Sequence, residues 1–254
     1  MPGQHVHNFA FLRFTLNREL DEFYISIVTR FFALSMIGLF VPLYLYRELG
    51  LSLQRIALFY IVFAIFFAFA AVFAGKLVSR IGVKHTILAS IPISISFFTL
   101  LRVAPKLGII PEYIAALDGI AMGMYWVSHH IDFAKYSVGK HRGEEVGIAT
   151  FISNIATILG PLVGGAMIHY SSFITLFSIV SVLLFISALP LFNSKELHEP
   201  FHFSFKNIFN KEHKKDALVF SAMGTELMTA GVLWPIFIFS ILGFKYLNLG
   251  IVIT

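Results

Sequence analysis

The sequence predicts an all-α polytopic membrane protein, and three observations support this fold class. Hydrophobic residues make up 57% of the 254 positions and charged residues 13%, against roughly 25% charged residues in a typical soluble domain. Apolar windows of about 20 residues, long enough to cross about 30 Å of hydrocarbon, recur along the chain. Lys and Arg are concentrated between alternate windows, as expected when one side of a membrane retains them. A water-soluble fold is therefore not expected.

Seven apolar windows are predicted as membrane-spanning helices. A further apolar stretch begins near Leu247, and the sequence ends within it at Thr254. In chain order the predicted spans are Phe23 to Tyr46, Ile56 to Ala74, Thr86 to Val103, Ile109 to Phe133, Val146 to His169, Phe173 to Phe192 and Ala217 to Leu242.

Polar segments divide the spans into two groups. Residues 1–22 lack the features of a cleavable signal peptide, and the spacing of Phe9, Leu12, Leu16 and Leu20 indicates an interfacial amphipathic helix, with a frayed tail as the alternative. Residues 193–215 are predicted to be a linker that follows a six-helix bundle over 23–192. Residues 216–254 would then be the first helix of a second, truncated bundle and the start of the next helix.

The distribution of basic residues predicts the orientation. With the amino terminus inside, the cytoplasmic segments hold 13 of the 19 Lys and Arg, and the outer segments hold five. Lys and Arg are retained on the cytoplasmic side. We therefore expect a multi-pass protein of the plasma (cytoplasmic) membrane with a cytoplasmic amino terminus. The formal net charge of +5 then reflects membrane orientation, and no nucleic-acid partner is expected.

The loop after the second span carries a glycine-bounded basic motif. It runs from Gly75 to Lys84 and includes Ser79, Arg80 and Gly82. This loop resembles the signature loop between helices two and three of the major facilitator superfamily, whose pattern is Gly-x-Leu-Ala-Asp-Arg-x-Gly-Arg-Arg/Lys. Ser79 stands where that family usually has Asp, so we expect any gating ion pair made there to be weakened or replaced by a hydroxyl hydrogen bond.

The fifth span carries small residues and a proline at the spacing of a second motif of this superfamily. Small residues four positions apart allow close helix packing, and proline favours a bend. The pattern is similar to Gly-x-x-x-Gly-Pro-x-x-Gly-Gly, a motif associated with proton-coupled antiporters, and ordinary helix packing is the alternative interpretation. The matching residues here are Ala156, in place of the first glycine, then Gly160, Pro161, Gly164 and Gly165.

A third resemblance lies in the turn from Arg142 to Gly147, similar to the cytoplasmic Arg-Gly-x-x-x-Gly turn of the same superfamily. Together the three motifs imply a six-helix bundle of two three-helix repeats. They also imply a proton-coupled secondary transporter that works by alternating access, with the lipid bilayer, a small-molecule substrate, protons and the missing carboxy-terminal bundle as partners. The second motif slightly favours efflux or antiport over uptake. No cofactor is implied.

Ionisable residues inside the predicted spans are the candidate substrate or proton pathway, because a charge in the bilayer centre costs at least about 2.5–3.5 kcal/mol. They lie on spans one, four and seven, which the resemblance identifies as cavity helices. At 100° per residue, five positions of span four fall within an arc of about 80°: Asp118, Met122, Tyr125, His129 and Asp132. A His with desolvated carboxylates suits proton relay. The candidates are Arg30, Asp118, Tyr125, His129, Asp132, Glu226 and Trp234, whereas His130 lies off this stripe.

Two other classes of protein compete with the transporter interpretation. An intramembrane metalloenzyme could use His129 and Asp132, but further ligands would have to come from His169 or elsewhere, and no metal-ligand signature is present. A seven-helix receptor or retinal protein fits the span count. However, the seventh span has no central Lys for a Schiff base. The sequence has no cysteine, which excludes disulfides and thiolate metal sites. We expect neither a metal site nor enzymatic activity.

Overall fold

The computed structural model describes residues 18–136, 142–192, 196–201 and 214–254. Most of the predicted amino-terminal amphipathic helix and most of the predicted linker therefore lie outside the described residues. The side chains at the start of the Arg142 turn also lie outside them.

The described residues form helices joined by short turns, with no β-strand among them. π-helical turns occupy Tyr44–Glu48 and Thr229–Leu233, and a 3₁₀ turn occupies Leu189–Phe192. The α-helices are α1 (Arg18–Gly38), α2 (Phe40–Leu43), α3 (Leu53–Ile81), α4 (Val83–Leu107), α5 (Pro111–Tyr136), α6 (Arg142–Tyr170), α7 (Phe173–Ala188), α8 (Lys214–Met228), α9 (Trp234–Ile241) and α10 (Tyr246–Ile253).

Six of the predicted spans correspond to helical segments that are long and apolar enough to cross a membrane. The fourth predicted span lies in α5, whose 26 residues extend about 39 Å at 1.5 Å per residue. This helix is long enough, but its two histidines and its aspartates lower its hydropathy. The prediction of an all-helical, multi-pass membrane protein is confirmed. The six qualifying segments are Tyr24–Glu48, Leu53–Ile81, Val83–Leu107, Thr150–Tyr170, Phe173–Phe192 and Leu218–Ile241.

Prolines explain two interruptions of the spans. Pro42 and Pro235 cannot donate a backbone hydrogen bond to the carbonyl four residues earlier. Helix α1 accordingly ends at Gly38, before Pro42, and a π-helical turn precedes Pro235. Span seven is therefore interrupted at Thr229–Leu233.

Helices α1 and α3–α7 pack as a bundle in which α5 lies between α3 and α4, and α1 lies between α6 and α7. The closest approach within the first half involves the glycines of α5. A Cβ on Gly123 would lie 2.7 Å from the carbonyl oxygen of Phe67 on α3, and one on Gly119 would meet the carbonyl of Phe63. Small residues allow such backbone contacts in membrane bundles, and these two glycines therefore seat α5 against α3.

Of the helices that follow the predicted linker, α9 and α10 contact the helices of residues 18–192. Helix α9 packs on α2, and α10 packs on α6, whereas α8 packs mainly against the π-helical turn that follows it. We refer to the end of the bundle that carries Gly82, between α3 and α4, as the loop end. The contacts of α9 and α10 lie at the opposite end.

Candidate functional site

A buried polar stripe on α5 forms the centre of the candidate site. Tyr125 and His129, one helical turn apart, stack with ring centroids 5.4 Å apart and an interplanar angle of 16°. Asp132 continues the same face toward the loop end. All three side chains are buried, with exposed fractions of 4%, 9% and 7%. The predicted stripe therefore exists as a contiguous face, and Asp118 lies half-buried nearer the opposite end.

Arg30 of α1 lies directly against this stripe. Its guanidinium carbon is 3.7 Å from the centroid of the Tyr125 ring, a cation–π contact, and the side chain is 1% exposed. Nε, Nη1 and Nη2 have no hydrogen-bond partner among the described residues. Asp118 interacts with Arg30 electrostatically, but the described residues provide no direct ion pair between them.

In this arrangement, the guanidinium N–H groups of Arg30 have no hydrogen-bond acceptor among the described residues. A buried charge is normally paired or hydrogen-bonded because desolvation is costly. The Tyr125 ring compensates only part of that cost. The guanidinium is therefore available to a carboxylate or another acceptor that moves within reach.

Aromatic rings surround the stripe. Phe31 meets the edge of Trp126 at 5.9 Å between centroids and contacts His129 at 6.2 Å, and Phe133 stacks on His129 at 6.0 Å. These rings form apolar surroundings for the cluster, and electrostatic interactions are stronger in surroundings of low dielectric constant. His130, which was placed off the stripe, is exposed.

The remaining candidates of span seven are not brought to this cluster. Glu226 on α8 is exposed, and Trp234 at the start of α9 is 53% exposed and pairs with Phe237. Helix α8 has no extensive packing against α1 or α5. The structure thus joins Arg30 to the α5 stripe and leaves Glu226 apart.

Two buried serines were not predicted from the sequence as candidate site residues. Ser128 on α5 and Ser94 on α4 are buried, and their hydroxyls have no partner among the described residues. Ser128 follows Tyr125 by three positions, a spacing that could have placed it beside the stripe. For Ser94 no sequence signal distinguishes it from the other serines of α4.

The α3–α4 loop turns at Gly82, whose φ of +93° lies in the region that favours glycine. The Ser79 hydroxyl donates to the carbonyl of Lys76 at 2.8 Å, so it makes a local bond within α3. Arg80 is exposed and Lys84 is half-buried. The carboxylate that contacts this loop comes from Glu196, which the sequence analysis did not single out.

The small residues of α6 are shared between two neighbours. Gly160 and Gly164 face α1, where an added Cβ would meet Ser35 and Met36, and Gly165 faces α10, where a Cβ would lie 2.7 Å from the carbonyl oxygen of Tyr246. The Ser35 hydroxyl also reaches the Ala156 carbonyl at 3.2 Å. Pro161 is buried inside the helix, next to Gly250 of α10.

A comparison with known families identifies the family to which these helices and motifs belong. The sequence profile of the Major Facilitator Superfamily matches residues 23–254. The chain belongs to the Major Facilitator Superfamily. No curated protein matches the sequence, so the comparison identifies the family but no individual relative.

Members of the Major Facilitator Superfamily are membrane transporters, and the chain is a multi-pass membrane transporter of this kind. The family is typically not enzymatic. Among the described residues, no group of three or more His, Asp and Glu side chains could hold a metal ion. The His129 and Asp132 pair of the metalloenzyme alternative therefore gains no further ligand from the part of the chain that the structure describes.

Proposed function

We propose that this chain moves a small solute across the cytoplasmic membrane by alternating access, in exchange for protons, with export as the favoured direction. The observation that carries the proposal is the buried cluster of Arg30 with the α5 stripe. Ionisable groups inside membrane spans are costly and are by default functional. Here four of them, Arg30, Tyr125, His129 and Asp132, are buried together with aromatic neighbours in a chain of a transporter family.

In the proposed cycle, Asp118 is the proton carrier. Arg30 alternates between pairing with Asp118 and contacting Tyr125. An ionised Asp118 attracts the unsatisfied guanidinium, and a protonated Asp118 releases it to the face of Tyr125. The arrangement in which Arg30 rests on Tyr125 without an ion pair fits the proton-loaded form. His129 and Asp132 extend the polar route toward the loop end, and Glu226 with Trp234 would face the site from the second bundle.

The domain arrangement of this proposal places residues 23–192 in one bundle and residues 216–254 in the other. Contacts between the two groups lie at the end opposite the loop, where Tyr246 donates to a carboxylate oxygen of Glu48 at 2.8 Å. With a cytoplasmic amino terminus, that end is the outer one. The outer side is then closed, the exposed α8 borders an inward-facing opening, and the loop from Gly75 to Lys84 forms part of the cytoplasmic gate.

The experiment that tests this function uses the chain in membrane vesicles that carry an imposed pH gradient. We expect a proton-sensitive dye to report proton movement when a transported compound is added. The probes are ethidium, tetraphenylphosphonium, a neutral sugar and a neutral amino acid, with ethidium favoured because carboxylates line the site. Vesicles without the chain are the control. Absence of proton movement with every probe would contradict proton-coupled transport.

Removal of the outer hydrogen bond should shift the chain toward outer opening. Tyr246→Phe retains the ring that stacks on Phe239 at 4.6 Å but loses the bond to Glu48. The sequence has no cysteine, so a single cysteine at buried Ile168 reports opening through its reaction with a thiol reagent. We expect labelling to rise about fivefold, the effect of one hydrogen bond of net strength near 1 kcal/mol.

The matched control is Tyr113→Phe, which makes the same change on a side chain that is 71% exposed at the same end. It should leave labelling at position 168 unchanged. Equal labelling rates in Tyr246→Phe and the parent would show that this hydrogen bond does not hold the outer side closed.

A further inference from the structure

The segment Glu196–Phe201 crosses the α3–α4 loop without helical or strand structure. The backbone N–H of Val83, the first residue of α4, donates to the carbonyl of Leu197 at 2.8 Å. A segment of the predicted linker is thus tied by its backbone to the turn between two spans.

The Glu196 carboxylate occupies the amino-terminal end of α4. It accepts from the backbone N–H of Lys84 at 2.9 Å and pairs with Nδ1 of His85. Gly82 provides no side-chain cap for this helix. Because helix amino termini have unpaired N–H groups and favour negative charge, Glu196 supplies the missing cap from a distant part of the chain.

Two glycines of the loop provide the space in which the segment lies. A Cβ at Gly82 would overlap the Glu196 side chain, and a Cβ at Gly75 would lie 2.9 Å from the ring atom Cζ of Phe201. The two glycines that bound the loop motif therefore each contact one end of the segment. A larger residue at either position would displace it.

An apolar contact links the same segment to the candidate site. Leu197 packs against a cluster formed by Val78, Val83, Ile87, Tyr125 and Leu191. The ring of Tyr125 makes the cation–π contact with Arg30. Contiguous packing thus runs from the linker segment through Tyr125 to the buried guanidinium.

We infer that Glu196–Phe201 is a strap that holds the α3–α4 loop and that Glu196 is the residue that positions it. The carboxylate fixes one end at the start of α4, Leu197 anchors the centre, and Phe201 rests on Gly75. Release of the strap would uncover the start of α4 and one side of the Tyr125 cluster. The strap is a means of setting the conformation of the loop, whatever solute the transporter moves.

The test is the protection of a cysteine at Val83, the buried first residue of α4, in a chain that has no natural cysteine. The full chain is placed in lipid nanodiscs, and the rate of its reaction with a maleimide is measured. In this background, Glu196→Gln should raise the labelling rate about tenfold, because a charge-assisted cap is lost while side-chain size is kept. Glu112→Gln, which makes the same change in an ion pair with Arg55 at the opposite end, should leave the rate unchanged.

A second pair of variants tests the other end of the strap without altering charge. Gly75→Ala should also accelerate labelling, because the added methyl group displaces Phe201, although alanine favours the helix. Gly224→Ala makes the same change where nothing lies within 4 Å of the added Cβ, and it should have no effect. If Glu196→Gln and Gly75→Ala both elute as folded proteins and are labelled at the same rate as the parent, the strap is overturned. This readout is independent of transport.

Discussion

Asp118→Asn is expected to reduce proton-driven transport to the rate of vesicles that lack the chain. Asparagine keeps the size of the side chain but cannot carry a proton or a negative charge at this position. Arg30 would then have no ionisable side chain at position 118, so it could no longer alternate between an ion pair there and its contact with the ring of Tyr125. The measurement is proton movement under an imposed pH gradient, with the solute identified by the probe experiment.

Exchange of labelled for unlabelled solute without a gradient separates two roles of Asp118. If Asp118 carries only the proton, Asp118→Asn loses gradient-driven movement and keeps exchange; if it binds a cationic solute, both are lost. Asp216→Asn, the same change on an exposed side chain at the start of α8, is the matched control. Unchanged transport with unchanged pH dependence in Asp118→Asn would reject this residue as the carrier.

Glu226→Gln answers a related question about the second bundle. Glu226 is exposed and lies apart from the α5 stripe, so its proposed role requires that α8 approach the site during the cycle. If α8 approaches the α5 stripe in this way, we expect Glu226→Gln to lose the coupling between solute movement and proton movement. Normal coupling in Glu226→Gln would assign the proton route to the first bundle alone.

Much of the fold and one face of the site could be predicted from the sequence, for a physical reason. Spans follow from local hydropathy, and the α5 stripe follows from helix periodicity, which places Tyr125, His129 and Asp132 together whatever surrounds them. Local chemistry also predicts the break before Pro235. Each of these features depends on residues within a few turns of one another.

Contacts between distant segments could not be predicted in this way. The position of Arg30 over Tyr125 depends on how α1 packs against α5, and periodicity within either helix does not specify it. Glu196 lies in a polar linker where acidic residues are ordinary, and its cap on α4 joins positions separated by 112 residues. The sequence motif marked Ser79 as a missing carboxylate but held no signal that Glu196 would contact the loop.

Gly164→Leu is expected to cause the largest loss of stability in the first bundle. A Cβ at Gly164 would overlap the carbonyl oxygen of Met36 and lie 2.8 Å from Cε2 of Phe40, and both groups belong to buried parts of α1 and α2. Membrane helices associate through close packing of small residues, so a leucine must separate α6 from α1. Overpacking of this kind costs about 1–3 kcal/mol or more. The measurement is the thermal unfolding midpoint in detergent, which falls by about 2–4 °C for each kcal/mol.

Gly224→Leu provides the matched comparison, because it makes the same change in a helix where an added Cβ meets nothing within 4 Å. Its midpoint should remain near that of the parent, and an equal fall in both variants would show that leucine perturbs the chain independently of packing against α1. Gly164→Ala then distinguishes packing from function. If α6 only packs, stability and transport should decline together, whereas a stable Gly164→Ala protein that has lost transport would indicate that α6 moves against α1 during the cycle.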